Sequence, residues 1–422
     1  MENKNDLLKC ITNYYLESND FNGLPTWESV KKYRKNEKLF RSHLVELIDE
    51  DKVAILFMDS TENAFINRLG FGKKEIQKKR IKNDVDLRGC LYPSSNQLIK
   101  TVSKNKYKEE PYKLCLALGA PQLSFKSFDL SILEFYRNDP RYRYKNDDIR
   151  GQIYYDSDDL AQSDKTYLKT FGFSYNPDLN RAVVVFVRYL ADLTPEHQQI
   201  WKTKELDSSY KLHPDYFRNS ILGQWSEKEP ICTAFLLELY IINQMTLAIN
   251  KHKLFKTDFG IYPNKRPANF GLLVRPTLSE YHNFILVLDK LLSENINKKF
   301  FINTVDFEKE IERSDGKIQV TQKGSLQILD EWISRYFKTN DWSLWEESIK
   351  ALKKVRKLRQ KPAHSLNDNI FDMKFFKEQR DLLVKSYNAL RTIRLMLANH
   401  PKVVKSNIDI PNWLFKGEIW DR

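Results

Sequence analysis

At 422 residues the chain is long enough for two, possibly three, domains with ordinary cores. An apolar share of 41%, with 25 Phe, 21 Tyr and 8 Trp, excludes a disordered chain. A formal net charge of +13 favours polyanionic partners, a matter of association and not of fold.

Cys10, Cys90, Cys115 and Cys232 lie far apart with no CxxC pair. That argues against a zinc ribbon or a disulfide scaffold and fits a reducing cytoplasm. The opening MENKNDLLK is charged at once and has no apolar signal region, so a cytoplasmic location is expected.

Residues 1–50 read as helical, WESVKKYRKNEKLFRSHLVELIDE being the clearest piece. KVAILFM follows as a short buried strand flanked by charge. Between about 110 and 190 strands are expected at KLCLALG, GQIYYD and RAVVVFVRYL, the last β-branched as a central strand should be. Helical spacing returns over 194–250. There TAFLLELYIINQMTLAI carries Glu238, Asn243 and Gln244 and is too short to span a bilayer, so it predicts a buried helix and no membrane partner.

YPNKRPANFGLLVRPT at 262–277 holds three prolines, which limit helix continuation on both sides. It predicts a linker at 263–276 after an N-terminal α+β sensor or regulatory region, 1–262. Beyond it, four segments carry apolar residues at intervals of three and four with no intervening strand signal. Tyr281, Phe284, Ile285, Leu288, Leu291 and Leu292 mark the first, and Leu326, Leu329, Trp332, Ile333 and Tyr336 the second. Trp345, Ile349, Leu352 and Val355 mark the third, with Asn340 or Asp341 as its N-cap. Phe376, Leu383, Tyr387, Leu390 and Leu397 mark the last. The expected fold class is therefore α+β, mostly α: a mixed α/β region, a helical bundle over 277–400, and a tail at 401–422.

The third segment ends in KVRKLRQKPAHSL. Seven basic residues and no acid lie between Lys350 and Lys361. Over 275–400 there are 23 Lys and Arg against 17 Asp and Glu, a net +6, so this run carries the positive charge of the whole region. Metal-free RNA cleavage needs a base for the ribose 2′-hydroxyl, a cation for the phosphorane and a proton for the leaving 5′-oxygen. Histidine, with an ordinary pKa of about 6.5, suits the proton work. Arginine suits the phosphorane, because its planar fork holds two oxygens and keeps its charge. Arg359 and His364 form such a pair across a break at Pro362. Lys353, Lys354, Arg356, Lys357 and Lys361 would then hold the RNA backbone. Arg275/His282 and Arg394/His400 have similar spacing, but Arg275 precedes a proline and Arg394 lies in an apolar stripe.

LRQKPAH resembles the signature of HEPN domains: an arginine, a polar residue, three more, then a histidine. The late position of the pair in a four-helix unit is similar too, over about 275–400. The resemblance implies a four-helix bundle, in many members a metal-independent endoribonuclease of toxin–antitoxin, abortive-infection or CRISPR systems. It implies Arg359 as phosphate stabiliser, His364 as proton-transfer group and Gln360 as the polar neighbour orienting them. It also implies a homodimer or higher homo-oligomer, RNA as substrate, no cofactor, and a phage or host trigger sensed by the N-terminal region. Pro362 departs from the usual pattern. The alternatives are a solvated basic helix end and an inert nucleic-acid-binding or protein-interaction module.

FYRNDPRYRYKNDDIR (135–150) interleaves Phe135, Tyr136, Tyr142 and Tyr144 with Arg137, Arg141, Arg143 and Lys145. Aromatics stacking on bases beside cations on phosphates would make a single-strand binder. A twisted hairpin edge fits the same residues, and Asp139, Asp147 and Asp148 favour it.

Overall fold

Short helices and strands alternate through the first half of the chain, and long helices fill the second. The computed structural model describes residues 3–33, 36–58, 71–178, 180–207, 210–224, 228–261, 266–267, 269–312, 314–360 and 368–420. They divide into two units, Met1–Trp225 and Ser226–Arg422. The fold class is α+β with helix predominating.

The first unit opens with α1 (Lys4–Glu17), β1 (Leu24–Pro25), α2 (Thr26–Lys32), α3 (Glu37–Asp49), β2 (Val53–Phe57), α4 (Lys74–Asn83) and β3 (Gly89–Pro93). The strands pair antiparallel in the order β1-β3-β2. Leu7 and Ile11 on α1, and Phe40, Leu44 and Leu47 on α3, recur every three or four residues and are buried with Ile55 and Leu91. Asn3 and Asn36 cap α1 and α3, their side chains accepting from Asp6 N and Leu39 N. WESVKKYRKNEKLFRSHLVELIDE is thus two helices.

β4 (Phe125–Phe128), α5 (Ile132–Arg137), β5 (Tyr142–Asn146), β6 (Arg150–Tyr155), β7 (Tyr167–Tyr175), β8 (Arg181–Phe186), α6 (Pro195–Lys202), β9 (Glu205–Leu206) and β10 (Lys211–Leu212) complete it. They build an antiparallel sheet in the order β5-β6-β7-β8-β4-β9, with β10 on β7. Ala182 to Phe186 of β8 are all buried, as its composition predicts, but the chain turns helical at Val187. KLCLALG is not a strand. Pro111 opens a helix there, Pro111–Ala117, whose Tyr112 and Leu116 reach the core four residues apart. A Cβ on Gly172 would stand 2.3 Å from the buried Tyr216 ring, so glycine lets β7 approach it.

The second unit contains β11 (Glu229–Pro230), α7 (Ile231–Asn250), α8 (Leu278–Leu291), β12 (Glu308–Glu312), β13 (Ile318–Gln322), α9 (Ser325–Tyr336), α10 (Ser343–Gln360), α11 (Lys374–Ala398) and β14 (Ile419–Trp420). The four helices expected from periodicity are present. α11 packs against α7 and α10, and α10 also meets α8 and α9. Trp342 O accepts the first bond of α10 from Glu346 N, so Asp341 lies one residue before the cap position expected of it, its Oδ1 accepting from Ser343 N at 2.8 Å.

Four features differ from the sequence reading. α7 belongs to this unit, so the division falls at Trp225/Ser226 and not at the proline stretch. α7 is long and apolar enough to cross a membrane, yet most of it is buried inside the unit, with Glu238, Asn243 and Thr246 enclosed. The described part of the expected linker reaches the core: Phe270, Leu273 and Val274 are buried, and Gln379 of α11 holds Gly271 O and Leu273 N. The expected tail folds back, with Leu414 buried and β14 pairing parallel with β11. β12 and β13, between α8 and α9, form an exposed antiparallel hairpin with Gly316 at φ +75° in its turn.

Candidate nucleic-acid site

The basic run lies on the last three turns of α10, whose apolar stripe of Trp345, Ile349, Leu352 and Val355 is buried. Its cations therefore point to the other faces. Lys353 and Lys354 are exposed, as are Lys357 and Gln360, while Arg356 and Arg359 are half-buried. Lys361 and His364, with Pro362 between them, lie outside the described residues.

Arg356 and Arg359 converge on the C-terminal end of α8. Arg359 Nη1 pairs with Glu294 Oε1 at 2.6 Å and stands 3.8 Å from Asp289 Oδ2. Arg356 Nη1 stands 3.9 Å from the same oxygen and donates to Ser293 Oγ at 2.9 Å. The Ser293 hydroxyl in turn donates to Asp289 Oδ1. Two guanidiniums and two carboxylates thus meet where the carbonyl ends of α8 and α10 also favour positive charge. Asp289 has no exposed surface, and its Oδ2 has no hydrogen-bond partner among the described residues. Burial pushes its carboxyl above the usual carboxylate range, against the hydrogen bond from Ser293 and the charges of Arg356 and Arg359.

Asp289 escaped the sequence reading, though a signal was there. It sits four residues after Ile285, on a helix face that is otherwise apolar, and a carboxylate so placed needs a cation. Glu294 and Lys256 gave none. Lys256 is 38 positions before Glu294, and its Nζ donates to Glu294 O at 2.6 Å.

Lys353 is partly committed elsewhere. Its Nζ lies 3.1 Å from Asp330 Oδ2, and Asp330 Oδ1 accepts from Trp345 Nε1 at 2.9 Å. Lys354 and Lys357 have no acidic partner among the described residues. The two rival Arg–His spacings lead elsewhere. Arg394 is buried and its Nε donates to Glu238 Oε2 at 2.7 Å, while His400 caps the next helix through Lys402 N. Arg275 is exposed, its N–H taken by Glu280, and burial lowers the His282 pKa.

In the interleaved stretch at 135–150, Phe135 is exposed but Tyr136 and Tyr142 are buried and Tyr144 is half-buried. β5 is an edge strand, and alternation turns Tyr142 and Tyr144 inward and Arg143 outward. Tyr142 is 5% exposed, and Tyr144 is half-buried with one face stacked on Phe171. Burial pushes the Tyr144 hydroxyl up to about 12. Arg141 pairs with Asp139 at 2.7 Å and Asp164 at 3.0 Å, and Arg143 with Asp156 at 2.6 Å. Arg137 is half-buried at the end of α5. Of the acids that favoured a hairpin edge, Asp139 holds Arg141, while Asp164 and Asp156 complete the pairing of Arg141 and Arg143.

Comparison with known protein families, curated proteins and solved structures returned no match.

Proposed function

We propose that the chain is a metal-independent endoribonuclease of HEPN type, with its site at the end of α10. The observation that carries this reading is the orientation of Arg359. Its guanidinium pairs with the Glu294 carboxylate at 2.6 Å and faces the buried Asp289 carboxylate at 3.8 Å, five positions before His364, in the basic run at the end of α10. An arginine fixed in this way loses little freedom on gripping a phosphate.

In the proposed reaction His364 removes the 2′-hydroxyl proton. The 2′-oxygen attacks phosphorus, Arg359 stabilises the phosphorane, and the P–O5′ bond breaks as the 5′-oxygen takes a proton from the protonated His364 of a second protomer. The products are a 2′,3′-cyclic phosphate and a 5′-hydroxyl. One Arg–His pair lacks a second proton donor, so the active species is a homodimer or higher homo-oligomer with two pairs at one cleft. The setting proposed from the HEPN resemblance is a bacterial cytoplasm, as an abortive-infection or toxin effector whose first unit senses a phage or host trigger.

The test is end-group analysis of RNA incubated with the protein in excess chelator. Cyclic phosphate ends are expected from the native chain and none from Arg359→Ala or His364→Ala, with salt-dependent binding largely retained by the histidine variant. The pairing of Arg359 with both Asp289 and Glu294 favours a second reading, an inert module that binds nucleic acid or a protein. RNA bound by all three proteins and cut by none would establish it.

A further inference from the structure

The loop after α7 brings a second cation to the residue that Arg359 holds. Lys256 Nζ binds the backbone oxygen of Glu294 at 2.6 Å, and Arg359 Nη1 binds its carboxylate at 2.6 Å. The two cations therefore sit on opposite ends of one residue, although they come from segments about a hundred positions apart. The loop is firmly seated. Asn243, fully buried, accepts from Phe255 N at 2.8 Å and donates to Phe255 O at 3.0 Å. Asn295, 4% exposed, accepts from Thr257 N at 2.9 Å and donates to Thr257 O at 2.8 Å. Lys256 N also donates to Asn295 O at 2.8 Å. Two buried amides thus fix the Lys256 backbone on both sides, while its side chain stays exposed.

We infer that Lys256 and Arg359 form a phosphate seat for single-stranded nucleic acid, and that the Glu294 carboxylate is its resident anion. The choice of ligand rests on the RNA reading above. Each partner in the exchange carries one negative charge, so a phosphodiester entering at Arg359 releases Glu294 without changing the charge of the site. Glu294 is about one-third exposed and can turn into water, whereas Asp289 is enclosed and stays. Displacing Glu294 leaves Arg356, Arg359 and Lys256 facing one remaining carboxylate, a local excess that suits a phosphodiester. Lys256 then grips the backbone beside the scissile linkage, and Glu294 sets how readily any anion enters.

The test uses a short 2′-O-methyl oligoribonucleotide, which cannot be cut, so binding is measured apart from cleavage. Lys256→Ala is expected to weaken binding roughly threefold to tenfold and to lower the salt slope by about 0.7. Glu294→Gln is expected to tighten binding roughly twofold to fivefold, because Arg359 no longer gives up a charged partner. Glu310→Gln, on the exposed hairpin, makes the same change in net charge and serves as the control. Native affinity in Lys256→Ala, or equal affinity in Glu294→Gln and Glu310→Gln, overturns the seat. If the pattern holds but native protein cuts no RNA, the seat stands and the ribonuclease reading fails. If RNA is cut while these variants bind like native protein, the ribonuclease stands and the seat fails. No binding by any of the proteins sinks both.

Discussion

Asp289 Oδ2, without exposed surface, lies 3.8 Å from Arg359 Nη1. The pair joins α8 to the end of α10 and aims the arginine on which the proposed chemistry depends. It makes Asp289 a positioning residue, with consequences for activity that differ from those for stability.

Asp289→Asn keeps an acceptor for Ser293 and removes the charge. The folded carboxyl binds its proton more tightly than an ordinary one, so its ionisation costs stability as pH rises through the window just above the usual value. Removing that cost offsets the lost attraction to Arg356 and Arg359, which are both partly solvated. Stability should change by no more than ~1 kcal/mol in urea unfolding. RNA cleavage should fall on the order of 100-fold in kcat, because the guanidinium loses its orientation. Unchanged cleavage would remove the positioning role.

Lys354 and Lys357 are exposed without an acidic partner among the described residues, whereas Lys353 faces Asp330. Alanine at either of the first two should lower the slope of log affinity against log salt by about 0.7. Lys353→Ala should lower it less. Titrating a labelled RNA at several salt concentrations checks this ordering, and equal slopes in all three would refute it.

Glu238 and Arg394 are an enclosed ion pair, 0% and 1% exposed, tying α7 to α11. Burial raises the Glu238 pKa, opposed by the Arg394 charge. Arg394→Leu should cost about 3–5 kcal/mol, since it strands a buried carboxylate. The double variant Glu238→Leu/Arg394→Leu should recover most of that loss. Denaturant midpoints decide, and a double variant as weak as the single would mean that the pair contributes more than charge compensation.

Burial lowers the His213 pKa to about 4. Between that value and the ordinary value near 6.5 the unfolded chain binds the proton and the folded chain does not. Stability is therefore fully present above about 6.5 and declines as pH falls toward 4, by about 3 kcal/mol from this group. The His213 Nδ1 accepts from Asp215 N, a task an asparagine oxygen can take over. His213→Asn should flatten the acid limb of a pH-stability profile by that amount, and an unaltered limb would contradict the assignment.

Periodicity in the chain was enough to locate α8, α9, α10 and α11, because each buries one stripe and that stripe must recur every three or four residues. The β8 strand was equally legible from its unbroken β-branched run. KLCLALG was misread because a short apolar run serves a strand or a buried helix equally well, and Pro111 decided for the helix. The β12–β13 hairpin was missed although Asp315-Gly316 stands between its strands, because both are exposed and carry little apolar alternation.

Composition and spacing singled out Arg359, the basic run and the helical setting, since these are properties of neighbours along the chain. The partners of Arg359 were decided by folding alone. Asp289, Glu294 and Lys256 come from other elements, and charge acts through distance in space, on which sequence separation places no limit.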